Sequence, residues 1–250
     1  MSAVEILCPA KLTLSLNVKG RREDGYHLID AEMVSIDLCD ELLINDGSGI
    51  KVRSAGSGFD VPLDHSNLVD QALRMANRVA DVTIIKRIPA GAGLGGGSTN
   101  AAAILRWAGF EDPIAAAKLG ADVAFCLKGG RAQVRGIGEI LEPLPYRQLG
   151  MTLLIPPIGV STPEVYQAWD ELNSPMGDHG NDLETAALTV EPRLAEWRDV
   201  LSEATGKQAR LAGSGGTWFV EGHHEAFTHR GITSMNVVTV PAQDEKGDAG

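Results

Sequence analysis

Lys86-Arg-Ile-Pro-Ala-Gly-Ala-Gly-Leu-Gly-Gly-Gly-Ser-Thr-Asn-Ala-Ala-Ala103 packs five glycines into positions 91–97 and then turns at once into a helix-forming run. Glycine lets the backbone take positive φ and lets a ligand approach bare N–H groups. A helix N-terminus just beyond adds unpaired amides and the positive end of a dipole, so the pair forms a ready anion site. The stretch reads as a phosphate cradle, which points to a nucleoside di- or triphosphate. The helix is expected from Asn100 to Ala108, with Ser98, Thr99 or Asn100 as its cap and Gly109 in the left-handed position after its end.

Two familiar nucleotide motifs fail here. Gly91, Gly93 and Gly96 have dinucleotide-fingerprint spacing, and Val82–Ile88 before them reads as a strand. That fingerprint needs a second strand ending in an acidic residue about 20 positions on. Glu111 and Asp112 stand instead in a turn after Gly109. A P-loop would close on Gly-Lys-Ser/Thr, and no lysine follows these glycines.

Outside the loop, 250 residues suffice for one large or two modest domains, and 44% hydrophobic with 22% charged residues is ordinary for a globular chain. A net charge of −11 without a basic stripe argues against nucleic acid as a partner. Cys8, Cys39 and Cys126 are scattered and odd in number, which fits reduced thiols in the cytoplasm rather than a disulfide framework or a zinc site. Neither a secretory leader nor an apolar run near the roughly 20 residues of a membrane span is present, so no membrane partner is expected. No obligate protein partner is evident either, and residues 243–250 read as a polar, disordered tail.

The first part is β-rich. Leu12, Leu14, Leu16 and Val18 alternate with polar residues, and Lys11 belongs on the polar face. Val34–Leu38, Leu42–Ile44 and Ile50–Val52 read as separate short strands, followed by a helix capped by Ser66. A break falls around residues 144–150. Beyond it come strand Thr152–Ile155, helices Pro163–Leu172, Leu183–Ala187 and Leu194–Ala204, and a hairpin around Gly213-Ser-Gly-Gly216. A short helix near His224–Thr228 and strand Asn236–Val240 complete it. This order predicts an antiparallel sheet of split βαβ type, so the fold class is α+β, two lobes with a cleft between them. The division is expected at residues 1–147, 148–242 and the tail.

Phosphoryl transfer needs the phosphates held, charge neutralised and the attacking hydroxyl relieved of its proton. Asp122, a lone carboxylate in Leu-Gly-Ala-Asp-Val-Ala-Phe, is a candidate base, although the same residue could cap a helix. Lys11 is a candidate cation beside it, or a surface charge. Gly25-Tyr26-His27 sets an aromatic and an imidazole at a turn, fit either for stacking on and reading a base or for packing under a hairpin. Tyr166 offers a second stacking face or a core side chain. Gly213, Ser214 and Gly215 form either a plain turn or a second set of amides lining the cleft.

Pro9-Ala-Lys-Leu-Thr-Leu, Pro89-Ala-Gly-Ala-Gly-Leu-Gly-Gly-Gly-Ser-Thr-Asn and Leu211-Ala-Gly-Ser-Gly-Gly together resemble the three motifs of the GHMP small-molecule kinases. Gly20-Arg-Arg-Glu-Asp-Gly-Tyr-His27, Leu119-Gly-Ala-Asp-Val and Gly136-Ile-Gly-Glu-Ile-Leu-Glu-Pro143 are similar to the branch that acts on a CDP-linked methylerythritol in the non-mevalonate route to isoprenoids. The likeness runs from Cys8 to about Phe219. It implies an N-terminal β-rich lobe of the ribosomal protein S5 domain 2 type and a ferredoxin-like C-terminal lobe. It also implies ATP as cosubstrate, with its triphosphate along Pro89, Ala90, Gly91, Ala92, Gly93, Leu94, Gly95, Gly96, Gly97, Ser98 and Thr99, and Asn67 near its base. Asp122 would be the base, with Lys11 beside it, for phosphorylation of a 2-hydroxyl. Tyr26, His27, Tyr166, Gly213, Ser214 and Gly215 would hold the CDP-linked substrate. Mg²⁺ would ride on the nucleotide with Ser98 as its direct protein ligand.

This sequence departs from the family where Thr13 replaces a common asparagine, where Gly216 replaces a hydroxyl or alanine residue, and in shorter segments at 74–86 and 103–120. A sugar or mevalonate-type kinase, or a shortened nucleotide-binding protein without turnover, are the rival readings. Gly25-Tyr-His27 argues against the first, and the presence of both Lys11 and Asp122 argues against the second.

Overall fold

A computed structural model describes residues 4–54 and 66–243. The expected tail lies, past Gln243, outside the described residues. The elements run β1 (Val4–Arg21), β2 (His27–Asn45), β3 (Gly49–Ser54), α1 (Leu68–Met75), β4 (Asp81–Lys86), α2 (Gly96–Trp107), α3 (Pro113–Ala116), α4 (Ala121–Lys128), β5 (Arg131–Gly136) and β6 (Ile140–Pro143). The second half continues with β7 (Gly150–Leu154), α5 (Thr162–Glu171), α6 (Glu184–Val190), α7 (Leu194–Thr205), β8 (Arg210–Leu211), β9 (Trp218–Glu221), β10 (Thr228–His229), β11 (Ile232–Thr233) and β12 (Met235–Val240).

The long hairpin β1–β2 organises the first half. One edge of β2 is taken by β1. Its other edge is shared in turn by β5 at residues 29–34, β12 at 35–36 and β4 at 41–45. The two strands expected at Val34–Leu38 and Leu42–Ile44 are therefore one strand of 19 residues. Asp40, the charge that separates them in sequence, is fully buried within it. There Asp40 pairs with Lys86, and its Oδ1 accepts from the backbone N of Arg87 at 2.7 Å and of Ile88 at 2.8 Å. Removing one partner of such a pair costs about 3–5 kcal/mol, because the other charge stays buried alone. This pair anchors the strand that leads into the glycine loop.

In the second half the sheet order β12-β7-β9-β8 is antiparallel throughout. With α5–α7 crossing from β7 to β8, this is the ferredoxin-like, split βαβ arrangement expected. The helix anticipated near His224–Thr228 is absent; residues 223–227 are irregular and the small hairpin β10–β11 fills that crossover. Thr228 and Thr233 face each other across it with their hydroxyl oxygens 2.9 Å apart, a cross-strand side-chain pair.

The lobes do not stand apart. Pairing of Thr239 with Ile36 and Val240 with Ser35 fuses their strands into one ten-stranded sheet. A buried cluster containing Leu12, Val34, Ile36, Leu94, Met151, Leu153, Phe219 and Val237 draws side chains from both halves. Burying each such large apolar side chain contributes about 1.5–3 kcal/mol, so the seam is a true core. Among the described residues no helix is long and apolar enough to cross a membrane.

Candidate active site

The glycine loop joins β4 to α2. Gly91, Gly93 and Gly95 take φ of +73°, +79° and +67°, values that L side chains rarely adopt. The helix begins at Gly96, four residues before the expected Asn100, and Gly95 rather than a side chain occupies its cap position. Its first turn is thus bare backbone at the loop, as an anion site requires. Ala101, Ala102, Ala103, Ile104 and Leu105 behind it are fully buried, which fixes the helix axis. Gly109 follows the C-cap Ala108 at φ +76°, as expected.

A cavity of about 310 Å³ follows this loop, lined by residues 89–98 together with Asn67, Leu68, Lys86 and Asn100. Asn67, not Ser66, caps α1: its Oδ1 accepts from Val69 N at 2.8 Å. The structure thereby brings Asn67 and Ser98 to one cavity and leaves Thr99 buried outside its lining. Sequence reasoning missed Leu68 and Lys86. The Lys86 ammonium would lie 2.8 Å from a methyl built on Gly96, so this charge sits directly beneath the helix start.

A larger cavity of about 710 Å³ adjoins it and holds Lys11, Asp122, Tyr26, His27, Tyr166, Gly213 and Ser214. Lys11 is buried rather than on a solvated face, because the polar side of β1 is the floor of the cleft. Its backbone N donates to Leu94 O at 3.0 Å, and a methyl on Gly95 would lie 2.7 Å from its Cγ. The ammonium donates to Thr13 Oγ1 at 3.3 Å and lies 3.3 Å from Asp122 Oδ2. Asp122 is the second residue of α4, whose cap is Gly120. Its side chain is 30% exposed while that of Lys11 is 7% exposed, so the carboxylate reaches the cavity from a buried cation. The capping alternative for Asp122 fails, because Gly120 holds the cap position and no side chain caps α4; an acid in the first turn is nonetheless favoured by the dipole.

The two glycine loops touch. A methyl on Gly93 would meet Gly215 Cα at 2.7 Å and Ala212 O at 2.9 Å. Gly215 is spent on this contact and is not part of the cavity lining, whereas Gly213 lies beside Lys11 and Thr13. Asn181 Nδ2 donates to Leu211 O at 2.9 Å and to Gly213 O at 2.7 Å, holding the second loop from behind. Asn181 and Thr13 were not foreseen as loop supports, since neither stands in a glycine motif.

At the far end, Tyr26 is 60% exposed at the rim. The rings of His27 and Tyr166 stack with centroids 4.7 Å apart and planes at 25°. Burial, and after it the nearby Asp122 charge, push the Tyr166 phenol well above its ordinary value, so it stays neutral. Asp170 and Arg21 also line this end and were missed. The available signal was helical: Asp170 follows Tyr166 by four residues on α5. Elsewhere, Cys8, Cys39 and Cys126 form no disulfide. Burial pushes the Cys8 and Cys126 thiols up to about 12, leaving them unreactive packing groups.

Comparison with known proteins agrees with this geometry. A family profile described as the GHMP kinases N terminal domain matches residues 66–130, the span of α1, the glycine loop and Asp122. The 4-diphosphocytidyl-2-C-methyl-D-erythritol kinase of Paracoccus denitrificans is 37% identical over 230 residues, 84% of this chain and 84% of the relative. That of Pelotomaculum thermopropionicum is 39% identical over 252 residues, 86% of this chain and 88% of the relative. A crystal structure of 4-(cytidine 5'-diphospho)-2C-methyl-D-erythritol kinase superposes with a TM-score of 0.71 at 29% identity, covering 94% of this chain and 99% of that one. With two glycine loops closing on a lysine–aspartate pair, and relatives of this identity along most of its length, the chain belongs to the GHMP kinase family, among the 4-diphosphocytidyl-2-C-methyl-D-erythritol kinases.

Proposed function

We propose that this protein transfers the γ-phosphoryl group of ATP to the 2-hydroxyl of 4-diphosphocytidyl-2-C-methyl-D-erythritol, giving the 2-phosphate and ADP in the non-mevalonate route to isoprenoids. The observation that carries this reading is the Lys11–Asp122 pair, 3.3 Å apart, in a cavity that adjoins the glycine loop and ends in an aromatic pocket. Loop amides from 89–98 hold the triphosphate. Asp122 takes the proton of the 2-hydroxyl as its oxygen bonds to the γ-phosphorus and the bond to the β-phosphate oxygen breaks. Lys11 holds Asp122 in place through their 3.3 Å ion pair and faces the charge that develops on the transferring group. Residues 1–147 form the ATP-holding unit in this reading and 148–242 the second unit, which closes the cleft. The three cysteines outside disulfides accord with a cytoplasmic setting.

Magnesium is assigned here as an ion carried by the nucleotide. Among the described residues no three His, Cys, Asp or Glu side chains converge, whereas Ser98 offers one hydroxyl beside the loop. One protein oxygen with phosphates and waters suits a hard, octahedral cation. Bound there, it would neutralise phosphate charge; the proton transfer itself needs only Asp122.

ADP release from ATP tests the assignment. Release is expected only with the CDP-linked substrate present, and ATP binding without substrate-dependent release would leave a nucleotide-binding protein instead. Tyr26, His27 and Tyr166 hold the cytosine in this scheme. Tyr26→Ala is expected to raise KM for the CDP substrate by the loss of about 1–3 kcal/mol of stacking while KM for ATP stays put. An equal rise for ATP would mean that the base pockets are misassigned.

A further inference from the structure

Asp170 lines the aromatic end of the cavity and holds the imidazole of His27. Its Oδ1 lies 2.8 Å from His27 Nε2 and its Oδ2 lies 3.2 Å from Nη1 of Arg21. The same imidazole is stacked on Tyr166 and meets Trp169 edge-on at 5.8 Å between centroids. Its plane is therefore fixed by packing, and its Nε2 by one carboxylate. An ionised carboxylate only accepts hydrogen bonds. A neutral imidazole facing it must carry its proton on Nε2, which leaves Nδ1 as an acceptor. Arg21 holds the second carboxylate oxygen, so the carboxylate is oriented from two sides.

We propose that Asp170, oriented by Arg21, is a positioning residue that makes the enzyme prefer cytosine to uracil by fixing His27 as the Nε2-protonated tautomer. Cytosine presents an exocyclic amine where uracil presents a carbonyl oxygen. An acceptor at Nδ1 pairs with the amine and is repelled by the carbonyl; the other tautomer reverses the choice. The inference rests on the reading that His27 meets the base.

The test compares kcat/KM for the CDP-linked substrate and its uridine-diphosphate counterpart in the full chain and in Asp170→Ala, Asp170→Asn, Asp170→Glu and His27→Gln. Nitrogen-15 spectra of labelled histidine report the His27 tautomer, its signal assigned by its loss in His27→Gln. Asp170→Ala is expected to narrow the cytosine preference about tenfold or more, as loss of one oriented hydrogen bond does. The change should come through KM of the CDP substrate, with kcat and KM for ATP within about twofold of the parent. The Nε2–H signal should give way to a mixture, and Asp170→Glu should restore part of the preference. If the alanine variant is unstable, Asp170→Asn keeps the shape and, because an amide can also donate, admits the other tautomer. A preference undiminished in both variants, or diminished with the tautomer unchanged, overturns the proposal. A preference lost in His27→Gln but kept in Asp170→Ala overturns the role of Asp170 alone, and one untouched in His27→Gln overturns the base reading beneath it.

Discussion

Asp122→Asn is expected to lower kcat by about 10²–10⁴-fold, the usual contribution of a positioned general base. The substitution keeps the side chain's size and its place in the first turn of α4. It removes the group that takes the proton, and it leaves the Lys11 ammonium facing a neutral amide. Lys11 is also held by Thr13 Oγ1 and by the packing of its stem under Gly95, so the cation should stay in place. ATP affinity should therefore be nearly unchanged, since the carboxylate is not part of the loop cavity. Single-turnover rates and ATP titration separate the two effects. Turnover at the parent rate in this variant would remove Asp122 from the chemistry.

Gly215→Ala should be the most damaging change outside the reacting groups. A methyl there would lie 2.5 Å from Gly93 N and 2.7 Å from Ala92 O, all backbone atoms with no flexible end to move aside. The two loops must separate. Gly93 leads into the cradle and Gly213 abuts Lys11, so parting them displaces phosphate and substrate relative to each other. A misplacement of about 1 Å can cost about 10²-fold in rate, and kcat/KM for both substrates should fall by at least that. Overpacking adds about 1–3 kcal/mol of destabilisation, visible as a lower Tm. Gly180→Ala separates strain from collision: its positive φ disfavours a side chain, but no atom lies within 4 Å of the added methyl, so a lower Tm with parent-like kinetics is expected there. Parent-like kinetics in Gly215→Ala would mean that loop contact does not set the spacing of the two ligands.

Much of this was legible in the residues. The glycine loop, the alanine-rich helix and the split βαβ order announce themselves through spacing and propensity, which are local. The start of α2 was misplaced because Gly96 and Gly97 are poor helix formers; what holds them helical is tertiary, with Lys86 and Ile88 beneath Gly96 and Leu68 against Gly97. The expected break in β2 failed for a similar reason. Asp40 looks like punctuation, and only Lys86 and two backbone N–H groups from a distant strand make its burial tolerable. Lys11 stands on a face that alternation marks as polar, and no pattern says whether such a face meets water or a cleft. Asp170 reaches His27 across 143 positions of chain, and chain spacing does not show that these two meet.

The seam between β12 and β2 has a consequence for how the molecule is made. Residues 235–240 emerge last of all the described strands, yet they zip against the second one. During synthesis this stretch of β2 must wait for its strand partner until residues 235–240 have left the ribosome. Such distant pairing is slow to form and leaves sticky strands open to neighbouring nascent chains. Maturation of this protein is thus a closing act rather than a procession of finished domains.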